Sequence, residues 1–413
     1  MRVSKTTALP RTISFARLIS TSISARLLTD IGAQMFNPFL PIFAAGLNVD
    51  VVVMGRLVAL RSSMGLLAPI FGAMADRHGY RRIMSAALLI AAVGMFVIGS
   101  SSTVPQAAFG MILLGLGLAG FVPTLQAYLG ARLPYEQLAR GIGMLEYSWA
   151  LTGIVGLSLM GLLIAATTWR APFFVLSGGL VIAFFVFRTL PKASDDSPSS
   201  PPLQSANVAL PIAARIKTFF SIKSNAASAY TTIIATGFIF YGAMQLMIIH
   251  GVWLADQYGL GARELGYVAL LFGCFDLLAS VSVSLFTDRF GKRRSVILGT
   301  AGALVGYIII PWLNFAVAPA ILGTAVTRAF FEFAIVANLP LLSGQSPNQR
   351  GKVMTMSAAF TLGCSTIASF TAPALYSQIG ITGITIISAL CTVVALLLFT
   401  LRVREQAPPP TIV

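Results

Sequence analysis

Long stretches without a single charged side chain constrain this chain more than any other feature. No charge occurs from Ile83 to Gln106, from Ala107 to Ala131, or from Val296 to Thr327. A bilayer-crossing helix needs ~20 largely apolar residues, and runs of that length recur from end to end. Charged residues make up 10% of the chain, against roughly a quarter in a soluble domain. The chain reads as a polytopic helical membrane protein.

Hydrophobic runs between charges and turn residues divide it into twelve segments. Their limits are 17–46, 52–75, 81–101, 105–130, 141–166, 172–190, 226–254, 264–286, 295–314, 317–341, 353–377 and 382–401. Between the sixth and seventh lies PKASDDSPSSPPLQSANVALP, a Pro/Ser-rich stretch that reads as a flexible linker. In the following IAARIKTFFSIK, Ile212, Ile216, Phe219 and Phe220 fall at helical spacing among Arg215, Lys217 and Lys223, which suits a helix on the membrane surface. The expected organisation is an N-terminal bundle over 1–190, a linker over 191–225, a C-terminal bundle over 226–402 and a tail over 403–413.

The formal charge is +15. Its basic residues are spread between apolar runs, so it reads as a topological bias and not as a nucleic-acid surface. With both termini in the cytoplasm, the opposite face receives only Arg170 and Arg263, while Arg26, Arg56, Arg61 and Arg328 fall inside spans. The first 29 residues are rich in Arg, Ser and Thr and contain no acid. They resemble a transit peptide but run straight into the first apolar segment, and read as a basic cytoplasmic tail. Cys274, Cys364 and Cys391 all lie in apolar runs, with neither metal-ligand nor disulfide spacing. No metal or cofactor is expected.

One charged string occurs twice: GAMADRHGYRR from Gly72 and SLFTDRFGKRR from Ser284. Asp76 and Asp288 lie 212 residues apart (288 − 76), each closing the second span of a six-span half. A weaker echo pairs Pro134 and Arg140-Gly141 with Pro347 and Arg350-Gly351 after each fourth span. Two parallel repeats of six helices are a layout of alternating-access transporters.

GAMADRHGYRR resembles the signature loop of the major facilitator superfamily between its second and third spans. Gly72, Ala75, Asp76, Arg77, Gly79 and Arg81 fit it, and Arg82 adds a further charge. The second copy keeps Asp288, Arg289, Gly291, Lys292 and Arg293, with Ser284 in place of the glycine. The resemblance implies an all-α fold of twelve transmembrane helices in two pseudo-symmetric six-helix bundles. It also implies that this loop latches the halves together in one state, and that spans one, four, seven and ten line a central cavity. Physically, Gly79 supplies a tight turn, Gly72 permits close helix approach, and Asp76 opposes the dipole of the helix it ends, so it needs a partner.

Ionisable groups inside a span are functional candidates by default. They are Arg26 and Asp30 in span one, Arg61 in two, Glu146 in five, Asp276 in eight, and Arg328 and Glu332 in ten. At ~1.5 Å per residue, Asp30, Arg61 and Asp276 lie ~18–22 Å from the cytoplasmic end. Arg26–Asp30 and Arg328–Glu332 have i, i+4 spacing, with Asp276 as a third partner for the second pair. Four acids face three arginines, which leaves an acid free to exchange a proton. Asp30 and then Glu332 are the first candidates, ahead of Asp276 and Glu146. Solute contacts are expected from Arg26, Gln34, Asn37, Arg61, Gln126, Tyr147, Trp149, Tyr241, Gln245 and Arg328. His250 reads as interfacial. NPFLP, Asn37 to Pro41, should kink or loosen span one.

The glycines of GIVGLSLMG in span five, Gly153, Gly156 and Gly161, suit a packing face. The run resembles that of proton-coupled exporters, but Leu157 and Met160 stand where those carry proline and glycine, and span four lacks their arginine near Met111. The leading expectation is proton-coupled efflux of small, partly hydrophobic compounds by a monomer in the plasma (inner) membrane, driven by the proton gradient. The alternatives are uptake of a small polar or anionic solute and a non-transporting membrane sensor. Enzymatic chemistry has no nucleophile–base pair or phosphate loop to support it.

Overall fold

A computed structural model describes residues 14–133, 135–190, 221–222, 225–346 and 349–405; the linker at 191–220 and most of the expected surface helix lie outside them, as do 406–413. Among the described residues there is no strand, and ten helices are long and apolar enough to cross a membrane. These ten hold spans two to twelve, and the count falls short of twelve for two local reasons. Span one is broken into Phe15–Gln34 and Phe36–Gly46, and it carries Arg26 and Asp30, which lower its apolarity. Spans eleven and twelve run together as Arg350–Leu401, divided only at Gly380, whose φ of 61° is non-helical.

Span two covers Val51–His78, span three Tyr80–Ser100, span four Val104–Arg132 and span six Ala171–Thr189. Span five is Tyr135–Leu151, a π-helical turn Thr152–Leu157, and Ser158–Ala166. Spans seven to ten are Ala226–Tyr258, Ala262–Phe290, Lys292–Leu313 and Val317–Gly344. Spans three, six, nine and twelve turn large apolar side chains outward, among them Phe96, Phe185, Leu298 and Leu390. Such faces suit lipid contact.

The break in span one follows from its prolines. Pro38 and Pro41 bring no backbone N–H, so helical acceptors four residues earlier lose their donors. Just before the break, Arg61 of span two donates from Nη1 to the carbonyls of Ala33 (2.5 Å) and Gly32 (3.4 Å). Its guanidinium also lies 5.0 Å from the centre of the Phe36 ring. Asp30 takes its bonds elsewhere, so similar depth does not make it a partner of Arg61.

The duplicated string adopts one geometry twice. Gly79 has φ 91° and ψ 135°, and Gly291 has φ 86° and ψ 146°, a region that side chains disfavour. Two residues later, each copy places an arginine on the end of the sixth helix of its half. Arg81 Nη1 donates to Leu190 O at 2.8 Å. Arg293 donates from Nε to Phe399 O at 3.1 Å and from Nη2 to Thr400 O at 2.5 Å. Terminal carbonyls lack helical partners and attract cations, so this arginine ties helix three to helix six in each half.

The two halves meet at one end and part at the other. At the end remote from the chain termini, a Cβ on Gly251 of span seven would run into the carbonyl oxygens of Asn37 and Pro38 in span one. Gly161 and Gly153 of span five lie against Gly266 and Gly273 of span eight, and Gly55 of span two lies against Pro373 of span eleven. Backbones this close require small residues. At the terminus-bearing end, Gly72, Gly130, Gly143, Gly344 and Gly351 have nothing described within 4 Å of where a Cβ would stand.

Candidate functional site

Between these two ends, spans one, five, seven, eight and ten enclose a cavity of about 60 Å³. Sites for drug-sized ligands run to ~300–1,000 Å³, so this space admits water but not a solute of that size. The N-terminal half contributes Gln34, Asn37, Trp149 and Leu157; the C-terminal half contributes Met244, Met247, His250, Phe272, Asp276 and Arg328. The wall mixes aromatic and thioether side chains with the polar groups of Gln34, Asn37, His250, Asp276 and Arg328, which suits a solute with both apolar and polar parts.

Asp276 and Arg328 are the charged residues on this wall among the described residues. Arg328 Nη2 donates to Asp276 Oδ2 at 2.6 Å across from span ten to span eight. The guanidinium also lies 5.0 Å from the centre of the Phe272 ring. His250 is 3% exposed, with Nδ1 2.7 Å from Met247 O and its ring 5.4 Å from that of Phe272. It is a cavity residue and not an interfacial one, because span seven leans inward where Gly251 meets span one. Two buried donors on the wall have no described partner: Arg328 Nε and, from the other half, Gln34 Nε2.

The other ion pair belongs to the N-terminal half. Arg26 Nε–H is shared between Asp30 Oδ1 (3.1 Å) and Oδ2 (3.0 Å), and Ser148 of span five donates to Oδ2 at 2.7 Å. Asp30 is 6% and Arg26 7% exposed, and neither lines the cavity. This triad clamps span one to span five inside one half.

Of the expected solute contacts, Gln34, Asn37, Trp149 and Arg328 reach the cavity. Arg26 and Arg61 do not, being engaged with Asp30 and with the span-one carbonyls. Tyr241 and Gln245 turn to Thr371 of span eleven (3.3 and 2.9 Å). Tyr147 is more than half exposed and, like Gln126 of span four, lies off the wall. Glu332 is half-buried on span ten and also lies off the wall; the partner found for Arg328 is Asp276, on another helix. The side chains of Glu146 and Asp288 lie outside the described residues. In the loop, Asp76 accepts from Tyr80 OH at 2.7 Å within its own half, while Arg77, Arg82 and Arg289 are exposed. Met244, Met247 and Phe272 were not singled out as cavity residues by sequence, and His250, one of the polar groups that could meet a solute, was placed at the interface instead. Thioether and aromatic side chains carry no signal that separates a cavity wall from a packed helix face.

The model for the Major Facilitator Superfamily matches residues 23–252 and again residues 232–412. The chain belongs to this superfamily. It is a transporter by family and not an enzyme. It is 26% identical over 360 residues to "Uncharacterized MFS-type transporter YceJ" of Bacillus subtilis (strain 168), covering 84% of this chain and 87% of that one. It is 24% identical over 364 residues to "Multi-drug resistance efflux pump PmrA homolog" of Lactococcus lactis subsp. lactis (strain IL1403), covering 83% of each. Among solved structures, that of a D-xylose-proton symporter superposes with a TM-score of 0.76 at 16% identity, over 95% of this chain and 99% of that one. That likeness establishes the twelve-helix fold alone.

Proposed function

We propose that this transporter exports small, partly hydrophobic compounds in exchange for protons, by alternating access. The observation that carries the reading is the Asp276–Arg328 pair on the wall of a cavity between the halves that also presents Trp149, Met244, Met247 and Phe272. Buried ion pairs contribute little net stability, so a pair retained beside a cavity between the halves points to transport chemistry. The efflux assignment draws on the relative whose name describes it as a multidrug efflux pump.

The pair also defines what coupling means. A substrate that needs the Asp276 carboxylate competes with the proton for it, and that competition makes the exchange antiport. A substrate that needs Arg328 is favoured once Asp276 is protonated, and that makes it symport. The unpartnered Arg328 Nε and Gln34 Nε2 favour the second case for solutes bearing acceptor oxygens, so uptake of an anion stands as the second reading. The cavity of about 60 Å³ is too small for either cargo, so loading requires the halves to part further. The glycine-lined end that bears the termini is where they do so, and Asp76, Arg77, Arg81 and Arg82 with Asp288, Arg289 and Arg293 latch it in the opposite state.

The test is transport in proteoliposomes with an imposed pH gradient. Lipophilic amines and neutral amphiphiles should move against the proton flux, with apparent affinity rising as pH rises. Movement confined to sugars, carboxylates or phosphates, with affinity falling as pH rises, would replace the exporter by the importer.

A further inference from the structure

We propose that the C-terminal half carries a binding site for the phosphate headgroup of an anionic phospholipid, built from the second copy of the charged string and the end of span twelve. A cleft of about 840 Å³ opens there, lined by Arg289, Phe290, Arg294, Leu401, Arg404 and Glu405, with Gly291 and Arg293 at its base. Arg293 is occupied with the carbonyls of Phe399 and Thr400. Glu405 is occupied as well: its Oε1 accepts from Lys292 N at 3.3 Å and its Oε2 from Arg293 N at 3.2 Å. These bonds fix the cleft floor and leave its one lining acid spent on the first turn of span nine.

The guanidinium groups of Arg289, Arg294 and Arg404 have no described partner. Three cations on one cleft, with the lining acid already engaged, need an anion of more than one charge or several acceptor oxygens. A phosphate diester or monoester fits that need. Phe290 is 57% and Leu401 74% exposed beside the same cleft. Free phosphate has no use for this apolar rim, whereas acyl chains below a headgroup do. Basic pockets between spans at the membrane edge hold anionic headgroups on these grounds. A general positive bias would scatter its charges; here arginines from two segments more than a hundred residues apart in sequence converge on one depression.

The repeat supplies a matched control. Arg77 and Arg82 occupy in the first copy the positions of Arg289 and Arg294 in the second. The full-length protein in neutral detergent would be titrated with dioleoylphosphatidylglycerol, with dioleoylphosphatidylcholine and with inorganic phosphate. Bound lipid would be read by intact mass spectrometry and stabilisation by melting temperature. Phosphatidylglycerol should bind and stabilise; the other two probes should not. R289Q/R294Q should weaken phosphatidylglycerol about thirtyfold, at ~1 kcal/mol for each basic residue, while R77Q/R82Q should stay within about twofold. R404Q alone, outside the transmembrane helices, should lose about fivefold, which keeps the test open should the double variant not fold. Equal loss from both copies, no loss from either, or stabilisation by inorganic phosphate matching that by phosphatidylglycerol would overturn the site.

Discussion

The two halves of this transporter each bury an aspartate–arginine pair, and the pairs differ in what they face. Arg26–Asp30 is closed by Ser148 and sealed between spans one and five. Asp276–Arg328 is made by spans eight and ten and stands on the wall of the central cavity. The chemistry and the burial are alike, at 6% exposure for Asp30 and 5% for Asp276; the difference is the cavity beside the second pair. A carboxylate whose acceptors are filled by fixed neighbours holds helices together. One that opens onto a space between moving bodies can exchange its partner for a proton or a solute. The comparison teaches that depth in the membrane does not separate the two pairs; the boundary between halves does, and the coupling role proposed above rests on the pair at that boundary.

The largest expected effect breaks the sealed pair. Asp30→Ala leaves the Arg26 cation buried without its carboxylate, a change that costs ~3–5 kcal/mol. The melting temperature in detergent should fall well below that of Asp276→Ala, where the cavity admits water to Arg328. A larger fall for Asp276→Ala would reverse the assignment of the two pairs.

Next in size is the contact that closes the remote end. Gly251→Ala drives a methyl group into the carbonyl oxygens of Asn37 and Pro38, an overpacking cost of ~1–3 kcal/mol. Because that contact joins the two halves and neither half alone, the cost falls on one transport state. Labelling of a cysteine introduced at Asn37 from the remote side should rise. Unchanged labelling with a lower melting temperature would mean that the contact supports the fold and not the closure.

The smallest effect sharpens the repeat itself. Gly79→Ala and Gly291→Ala each force a side chain into a positive-φ turn, at ~1–2 kcal/mol. With φ of 91° and 86°, the two should lower the melting temperature by similar amounts. A clear inequality would show that the second turn is supported differently, by Glu405 and the end of span twelve.

Much of this architecture was legible in the sequence because membranes enforce it. Uncharged runs and turn residues marked the spans, and the repeated string marked the halves, since few residues other than glycine tolerate the turns at positions 79 and 291. The prolines of NPFLP announced the break in span one, and the Arg26–Asp30 spacing announced a pair. Partners across helices were not legible. Arg328 has Glu332 one turn away in sequence but takes Asp276 from another helix, and Arg61 turned to the carbonyls of Gly32 and Ala33. Sequence spacing reports neighbours on one helix, while rotation of one helix against another decides which polar faces meet. For the same reason, sequence position near the outer end of span seven placed His250 at the interface and not on the cavity wall.

The central claim is that Asp276, and not Asp30, carries the coupling. It is tested most directly by comparing D276N and D30N in proteoliposomes, measuring substrate exchange at equal pH on both sides and accumulation driven by a pH gradient. The account predicts that D276N folds with near-native yield, loses gradient-driven accumulation and loses the pH dependence of whatever exchange remains, while D30N loses accumulation and exchange together in proportion to its lower folded yield. Gradient-driven accumulation intact in D276N, or exchange without accumulation in D30N, would contradict it.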